Sequence, residues 1–444
     1  MRARFTSSVA VVAAVLIGIS GGTAVADPAD DPSTSTSTTT PTTTPFTTPN
    51  TDNCPNSSSP PKAIDLSEVP APGDPTPQPL PIPDEPVGGD ELGDCGSVTP
   101  DSAPALPKEI SATAWVLSDL DSGAVLAAKD PHGRYRPAST IKILLAIVAL
   151  RELDLGRVVT GTIADSEVDG TRVGIGPGGR YTNLQLMQAL VMASGNDAAH
   201  AISAQLGGDE AAVRKMNDLA KSLGGMDTRA ATPSGLDGPG MSSSAYDLAL
   251  FFREAMRIPK FAELIRTEQV QFPGFPPDPR IPDDKDHPAF TIGNDNQLLY
   301  NYDGALGGKT GYTDDARQTF VAGAERNGRR LGITLLKADV LPIRPWEQAA
   351  RLLDYGFSLD RDASVGTLVE PEGTPVTTTT SRRQQSSGVT LAAPPVDATA
   401  SRLPKSTDDD FGWAGPLVFV LLGVLVVLAL LYWADSLNRR RNRH

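Results

Sequence analysis

The chain has 444 residues and a formal net charge of −14, from 39 Lys and Arg against 53 Asp and Glu. The length allows two or three domains, and the lack of any basic surplus argues against a nucleic-acid partner, whose phosphates need a cationic face. Two cysteines exclude a disulfide-dense scaffold and a four-cysteine metal site; the four histidines, His132, His200, His287 and His444, show no HExxH spacing, so neither a metal nor a cofactor is expected.

In chain order, Arg2 and Arg4 precede a short apolar run at 9–19 and the small-residue step Ala24-Val25-Ala26. This pattern predicts a secretory signal over 1–26, the alternative being an uncleaved membrane anchor. Residues 27–107 hold thirteen acidic residues, one lysine and 19 of the 39 prolines, with Thr/Ser-rich repeats. Such a segment buries too little apolar surface to offset its ordering entropy, so a disordered or extended stalk is expected. Cys54 and Cys95 both fall inside it. In an oxidising compartment they pair, cinching the stalk without supporting the folded core, or they pair with another chain.

One folded domain is expected over 108–360. Strands at 113–119 and 124–128 flank the turn Asp121-Ser122-Gly123. A helix from Ser139 to about Leu153, apolar almost all round between Ile141 and Leu150, reads as buried and central. Thr182-x-x-Gln185 is a capping box opening a helix to about Ala193. Further helices are expected at 209–223, ending at Gly224-Gly225, and from a Ser244 cap to Met256. Strands at 316–325 and 329–336 flank Asn327-Gly328, a strong hairpin signal, and Pro345 starts a last helix. Strands at both ends with helices between predict an α+β fold: an antiparallel sheet flanked by helices with a helical insertion. Residues 361–410 read as a second flexible linker. Residues 411–434 read as a transmembrane helix with Trp413, Tyr432 and Trp433 at its interfaces. The tail 435–444, with Arg439, Arg440, Arg441 and Arg443, belongs on the cytoplasmic side, leaving the folded domain extracytoplasmic.

Three short patterns in the domain carry chemistry. In Ser139-Thr140-Ile141-Lys142, positions i and i+3 share a helix face, so Lys142 reaches the Ser139 hydroxyl. A neutral lysine can then serve as base; burial, a nearby cation and the helix N-terminus all favour that neutrality. The unpaired N–H of Ser139 is a candidate oxyanion donor. Ser194-Gly195-Asn196, between two helical stretches, offers a hydroxyl to relay a proton and a carboxamide to bind a substrate carbonyl. Lys309-Thr310-Gly311, on a strand edge, offers a cation and a hydroxyl for a substrate carboxylate; Gly311 admits a close backbone approach, and the N–H of Tyr312 is the candidate second oxyanion donor. Taken alone, each pattern is better explained by an ordinary cap or turn. Their order within one domain is what singles them out.

With these motifs, and with the stretches Arg136-Pro137-Ala138-Ser139-Thr140, Thr232-Pro233-Ser234-Gly235-Leu236-Asp237 and Ser244-Ala245-Tyr246-Asp247-Leu248-Ala249, the region 108–357 resembles the low-molecular-mass penicillin-binding proteins, serine D-alanyl-D-alanine carboxypeptidases. The resemblance implies that Ser139 is acylated by the penultimate D-alanine of a peptidoglycan stem peptide, with Lys142 as general base. It implies that Ser194 and Asn196 assist proton transfer and hold the peptide, that Lys309 and Thr310 bind the terminal carboxylate, and that β-lactams acylate Ser139. The chain departs from many relatives: 361–410 is too polar for their compact C-terminal β domain, and the expected anchor is a full span rather than an amphipathic helix. Three alternatives stand beside this reading. The first is a DD-transpeptidase or endopeptidase. The second is a β-lactamase, disfavoured because Glu210, Glu254, Glu263 and Glu268 lack the Glu-x-x-Leu-Asn context. The third is a non-catalytic peptidoglycan-binding scaffold.

Overall fold

A computed structural model describes residues 46–371. After a 3₁₀ turn at Asp90–Gly93 come β1 (Ser97–Val98), β2 (Ala114–Asp119) and β3 (Ala124–Lys129). A second 3₁₀ turn, Ala138–Ile141, leads directly into α1 (Lys142–Glu152). The insertion follows with β4 (Val158–Thr160), α2 (Ile163–Ser166), β5 (Arg180–Thr182), α3 (Asn183–Met192), α4 (Asn196–Gln205) and α5 (Asp209–Ser222). It continues through α6 (Ala245–Met256), α7 (Pro259–Arg266), β6 (Gln269–Phe272), β7 (Phe290–Gly293) and α8 (Leu298–Asn301). The chain then completes its main sheet with β8 (Ala305–Thr313), β9 (Arg317–Arg326) and β10 (Arg329–Ala338), and ends in α9 (Pro345–Ser358) and β11 (Gly366–Thr367).

The main sheet is antiparallel in the order β1-β3-β2-β10-β9-β8, with β11 also paired to β3. Strands from the two ends of the domain therefore meet at β2–β10, as the strand–helix–strand pattern predicts. β2 and β3 are apolar at nearly every position because both sheet faces are covered. Side chains alternate between faces: Trp115 and Leu117 join Leu352 and Leu353 of α9, whereas Val116 joins the larger core around α1, α3 and α6. Helix α1 is buried from Lys142 through Ala149. The capping box at Thr182 and Gln185 opens α3, and the Asn327-Gly328 turn, with both residues at positive φ (52° and 68°), closes β9 onto β10.

Two expectations need correction. The stalk expected to be disordered over 27–107 is ordered from residue 46, forming a strap held along the domain. Its carbonyls accept from arginines: buried Arg134 donates to Ser58 (2.9 Å), Leu80 (2.6 Å) and Pro81 (2.8 Å), and half-buried Arg229 donates to Gln78 (2.9 Å). His132 Nε2 lies 2.9 Å from the Val87 carbonyl, and Cys54 is disulfide-bonded to Cys95. Composition misleads here because the strap needs little apolar burial of its own. Prolines have already restricted its backbone, and buried cations that require acceptors take its carbonyls. The disulfide also supports the core, since Cys95 leads into β1, paired with β3. Second, residues 361–371 are not linker: β11 pairs with β3, Val365 and Leu368 are buried, and Glu370 pairs with Arg253 and Arg257. No helix among the described residues is long and apolar enough to cross a membrane; the expected signal at 1–26, the remaining linker at 372–410, the span at 411–434 and the tail at 435–444 lie outside them.

Candidate active site

Ser139 sits in the 3₁₀ turn at the entry to α1, and the turn's shape is held by its neighbours. Ala138 takes a left-handed conformation (φ 47°) with no exposed surface. The carbonyl of Pro137 accepts from the hydroxyls of Thr140 (2.6 Å) and Thr319 on β9 (2.8 Å). Gly235 packs so closely that a Cβ there would overlap the Ala138 carbonyl, and its φ of 85° also favours glycine. Gly311 on β8 is in the same position on the other side: a Cβ would lie 2.8 Å from the Ser139 nitrogen and 3.0 Å from that of Thr140. Two glycines thus allow the loop at 234–235 and the edge strand β8 to close on the serine from opposite sides.

Lys142, one turn along, is fully buried and donates to Ser139 Oγ (2.8 Å), Asn196 Oδ1 (2.8 Å) and the Ser234 carbonyl (2.5 Å). Burial pushes its pKa well below the usual lysine value; the charge of Lys309 pushes it further down, and Asp197 and Asp295 oppose the shift. A neutral amine against a serine hydroxyl is a general base in contact with its nucleophile. Asn196 is fixed in turn by its Nδ2, which donates to the Asp169 carbonyl (2.7 Å). The adjacent Asp197 accepts from the backbone N–H groups of Val173, Gly174 and Ile175, tying the loop before β5 to the start of α4. Ser194 is buried in a left-handed turn (φ 60°) between α3 and α4, two residues before Asn196.

Lys309 lies on β8, only 2 % exposed, and donates to the Thr310 carbonyl (2.7 Å). Burial brings its pKa down to about 8, against the pull of Asp295. Its charge therefore acts on the site mainly as a field felt by Lys142 rather than through an exposed ammonium. Thr310 faces a groove that also holds Asp295, Gln318, Arg344 and Trp346. Tyr312 is half exposed, its hydroxyl donating to Asp314 (2.7 Å).

The structure thus gathers Ser139, Lys142, Asn196, Lys309, Thr310 and Gly311 around one cleft, with Ser194 and Tyr312 at its borders. Sequence reasoning missed the Ser234 carbonyl, Asp295 and Arg344. The first is a backbone atom, and the other two belong to loops that carry no motif.

The sequence model of the D-alanyl-D-alanine carboxypeptidase family matches residues 99–340, leaving most of the strap outside it. The chain is 47 % identical over 261 residues to the D-alanyl-D-alanine carboxypeptidase DacB2 of Mycobacterium tuberculosis, covering 58 % of this chain and 86 % of that one. It is 31 % identical to the carboxypeptidase DacF of Bacillus subtilis, covering 55 % of this chain and 61 % of the relative. A crystal structure of a D-alanyl-D-alanine carboxypeptidase from M. tuberculosis superposes with a TM-score of 0.56 at 45 % identity, covering 61 % of this chain and all of that one. The Streptomyces K15 DD-transpeptidase follows with a TM-score of 0.53 at 27 % identity, covering 58 % and 100 %. A buried lysine poised on a serine and a match over more than half of the chain lead to one conclusion: this protein belongs to the D-alanyl-D-alanine carboxypeptidase family of serine peptidases.

Proposed function

We propose that the enzyme removes the terminal D-alanine of peptidoglycan stem pentapeptides through an ester on Ser139. The contact that carries this reading is Lys142 Nζ bonded to both Ser139 Oγ and Asn196 Oδ1 in a buried setting that favours its neutral form. Lys142 takes the hydroxyl proton as Ser139 Oγ attacks the carbonyl carbon of the penultimate D-alanine. The N–H groups of Ser139 and Tyr312 receive the oxyanion. Collapse breaks the peptide bond, and the leaving D-alanine nitrogen takes the proton back, with Ser194 as the relay. A water then attacks the ester, Lys142 again accepts its proton, and that proton passes to Ser139 Oγ as the ester bond breaks and the shortened peptide leaves. Asn196 holds the peptide, and Thr310 receives the terminal carboxylate; Arg344, exposed in the same groove, supplies the cation that buried Lys309 delivers only as a field. A β-lactam acylates the same hydroxyl, but its ring nitrogen stays tethered and blocks the path of the water.

The test is intact mass of the full-length protein after brief exposure to a fluorescent penicillin, with D-alanine release from a pentapeptide assayed in the same tubes. An adduct on the wild type alone, absent from Ser139→Ala, with D-alanine released, supports the reading; release without an adduct defeats it. A transpeptidase reading draws on the Streptomyces K15 neighbour, described as a DD-transpeptidase. It predicts that an added amine acceptor diverts the acyl group from water. The apolar run at 417–434 followed by arginines supports anchoring by one C-terminal helix, with the domain outside the cytoplasm. Release of the protein into the soluble fraction when 411–444 is removed tests that anchoring.

A further inference from the structure

The three residues that lead to Pro137 and the nucleophile's turn are gripped by the strap. The N–H of Arg134 donates to the Asn56 carbonyl (2.9 Å), and its guanidinium holds three further strap carbonyls. Tyr135 shares a side-chain hydrogen bond with Asn56. Arg136, 2 % exposed and three residues before Ser139, makes a two-pronged pair with Glu68 of the strap, through Nε to Oε1 and Nη2 to Oε2 (2.8 Å). Burial works against the Arg136 charge, but Glu68 more than offsets it, with help from Asp315 and Asp237.

Those two carboxylates give the pair its significance. Asp315 follows the segment Gly311-Tyr312-Thr313, and its Oδ1 accepts from the strap N–H of Ile64 (2.8 Å). Asp237 ends the loop whose Ser234 carbonyl holds Lys142, and it bonds to Thr313. Arg136 and its strap partners therefore stand where three segments of the cleft converge: the turn of Ser139, the end of β8 and the loop at 234–237. No other residue among those described hydrogen-bonds the Arg136 guanidinium. Without Glu68, the buried guanidinium three residues from the nucleophile loses its hydrogen-bonded carboxylate and keeps only the fields of Asp315 and Asp237, so the local chain must move to hydrate it.

We infer that Glu68 is a positioning residue for the acylation step: acting through Arg136, it fixes the turn that presents Ser139, so that the strap is part of the frame of the active site. This rests on Ser139 as the acylated residue. The mechanism needs only a small displacement, because a shift of about 1 Å in a reacting group can cost about 10²-fold in rate.

The test uses the full-length protein in detergent, at a temperature where circular dichroism shows every variant folded. Glu68→Ala is expected to lower the second-order rate constant for penicillin acylation about tenfold and kcat for D-alanine release by a similar factor, with KM within about twofold. Glu68→Asp should recover most of the loss, since it restores the charge. Ile64→Pro removes the N–H that reaches Asp315 while fixing the local φ, at a side chain 70 % exposed, and should lower acylation by a smaller factor while folding normally. Wild-type rates in both Glu68→Ala and Ile64→Pro, whatever happens to Tm, would make the strap a stabilising wrap alone and overturn the inference. If Glu68→Ala fails to fold, Ile64→Pro decides. A wild-type protein that releases D-alanine but takes no label sinks the Ser139 reading itself, an outcome distinct from a labelled wild type with unaffected variants.

Discussion

Lys142 has three oxygen partners and one proton acceptor's task, and its burial bears on which role it plays. Protonated, it would bind Ser139, Asn196 and Ser234 as a structural cation. Neutral, it can take the serine's proton. Because burial holds its pKa well below the usual value, the neutral form is favoured relative to an ordinary lysine and is lost as pH falls through that lowered value. Lys309 behaves oppositely for activity: it is charged below about 8, and as pH rises past that point the site loses a cation. The rate of D-alanine release as kcat/KM should therefore fall on both sides, with an alkaline limb near pH 8. Replacing Lys309 by arginine, which stays charged, should move that limb upward. A pH profile on both proteins checks this. Lys142→Ala should cut acylation by about 10²–10⁴-fold while circular dichroism stays unchanged, and unaltered labelling would remove it as the base. Ser139, Lys142, Asn196 and Lys309 were legible because each belongs to a short pattern with a chemical reason for its spacing. Asp295, Arg344 and Glu68 were not: each reaches its partner across more than a hundred residues of chain or from a loop with no local signature.

Strand β8 illustrates how an element serves the site. Its Lys309-Thr310-Gly311 run lies on the sheet's open edge, paired only with β9, so the other side is free to meet the start of α1. Gly311→Ala would set a methyl against Ser139 N at 2.8 Å and against Thr319. The expected result is a loss of penicillin labelling with secondary structure intact, since the strand's pairing with β9 does not need that glycine. Helix α3 gives the contrasting case. Thr182→Ala removes one half of its capping box and should cost about 1 kcal/mol, seen as a small drop in Tm with little change in kcat. At this scale the sequence was most readable where a local rule decides the outcome. Capping boxes, the Asn327-Gly328 hairpin and the apolar surround of α1 all set their own elements. The short α7 and the β6–β7 pair were missed, because four-residue strands with half-exposed patterns such as Gln269–Phe272 carry almost no period.

Across the whole molecule, the main lesson is the strap. Its composition is that of a disordered segment, and by itself it has no core. Order comes from partners elsewhere in the chain: Arg134, Arg136, Arg229, Lys129 and His132 all meet it. Such a docking surface is invisible to any reading of the strap alone. The disulfide spans 41 residues, and closing a loop of that length restricts the unfolded chain by about 4 kcal/mol. Replacing Cys54 and Cys95 together by serine should lower Tm by several degrees and, by loosening the strap, speed trypsin cleavage after its exposed Lys62. Limited proteolysis of the oxidised and variant proteins checks this, and equal cleavage rates would mean that the arginine contacts hold the strap unaided.

The strap also sets a chronology. It is made early, yet its seats are made late: Ile64 waits for Asp315, 251 residues downstream, and the Gly88 carbonyl waits for the N–H of Thr367 in β11. The cystine can close as soon as residue 95 exists, and Arg134 and Arg136 follow soon after, but the closed loop is not fully seated until the last strand has joined the sheet. Up to that moment Arg136 has Glu68 but lacks Asp315 and Asp237, the two downstream carboxylates that also favour its charge. If Glu68 positions the turn of Ser139, antibiotic capture reports chains whose strap has docked, not merely chains that are present.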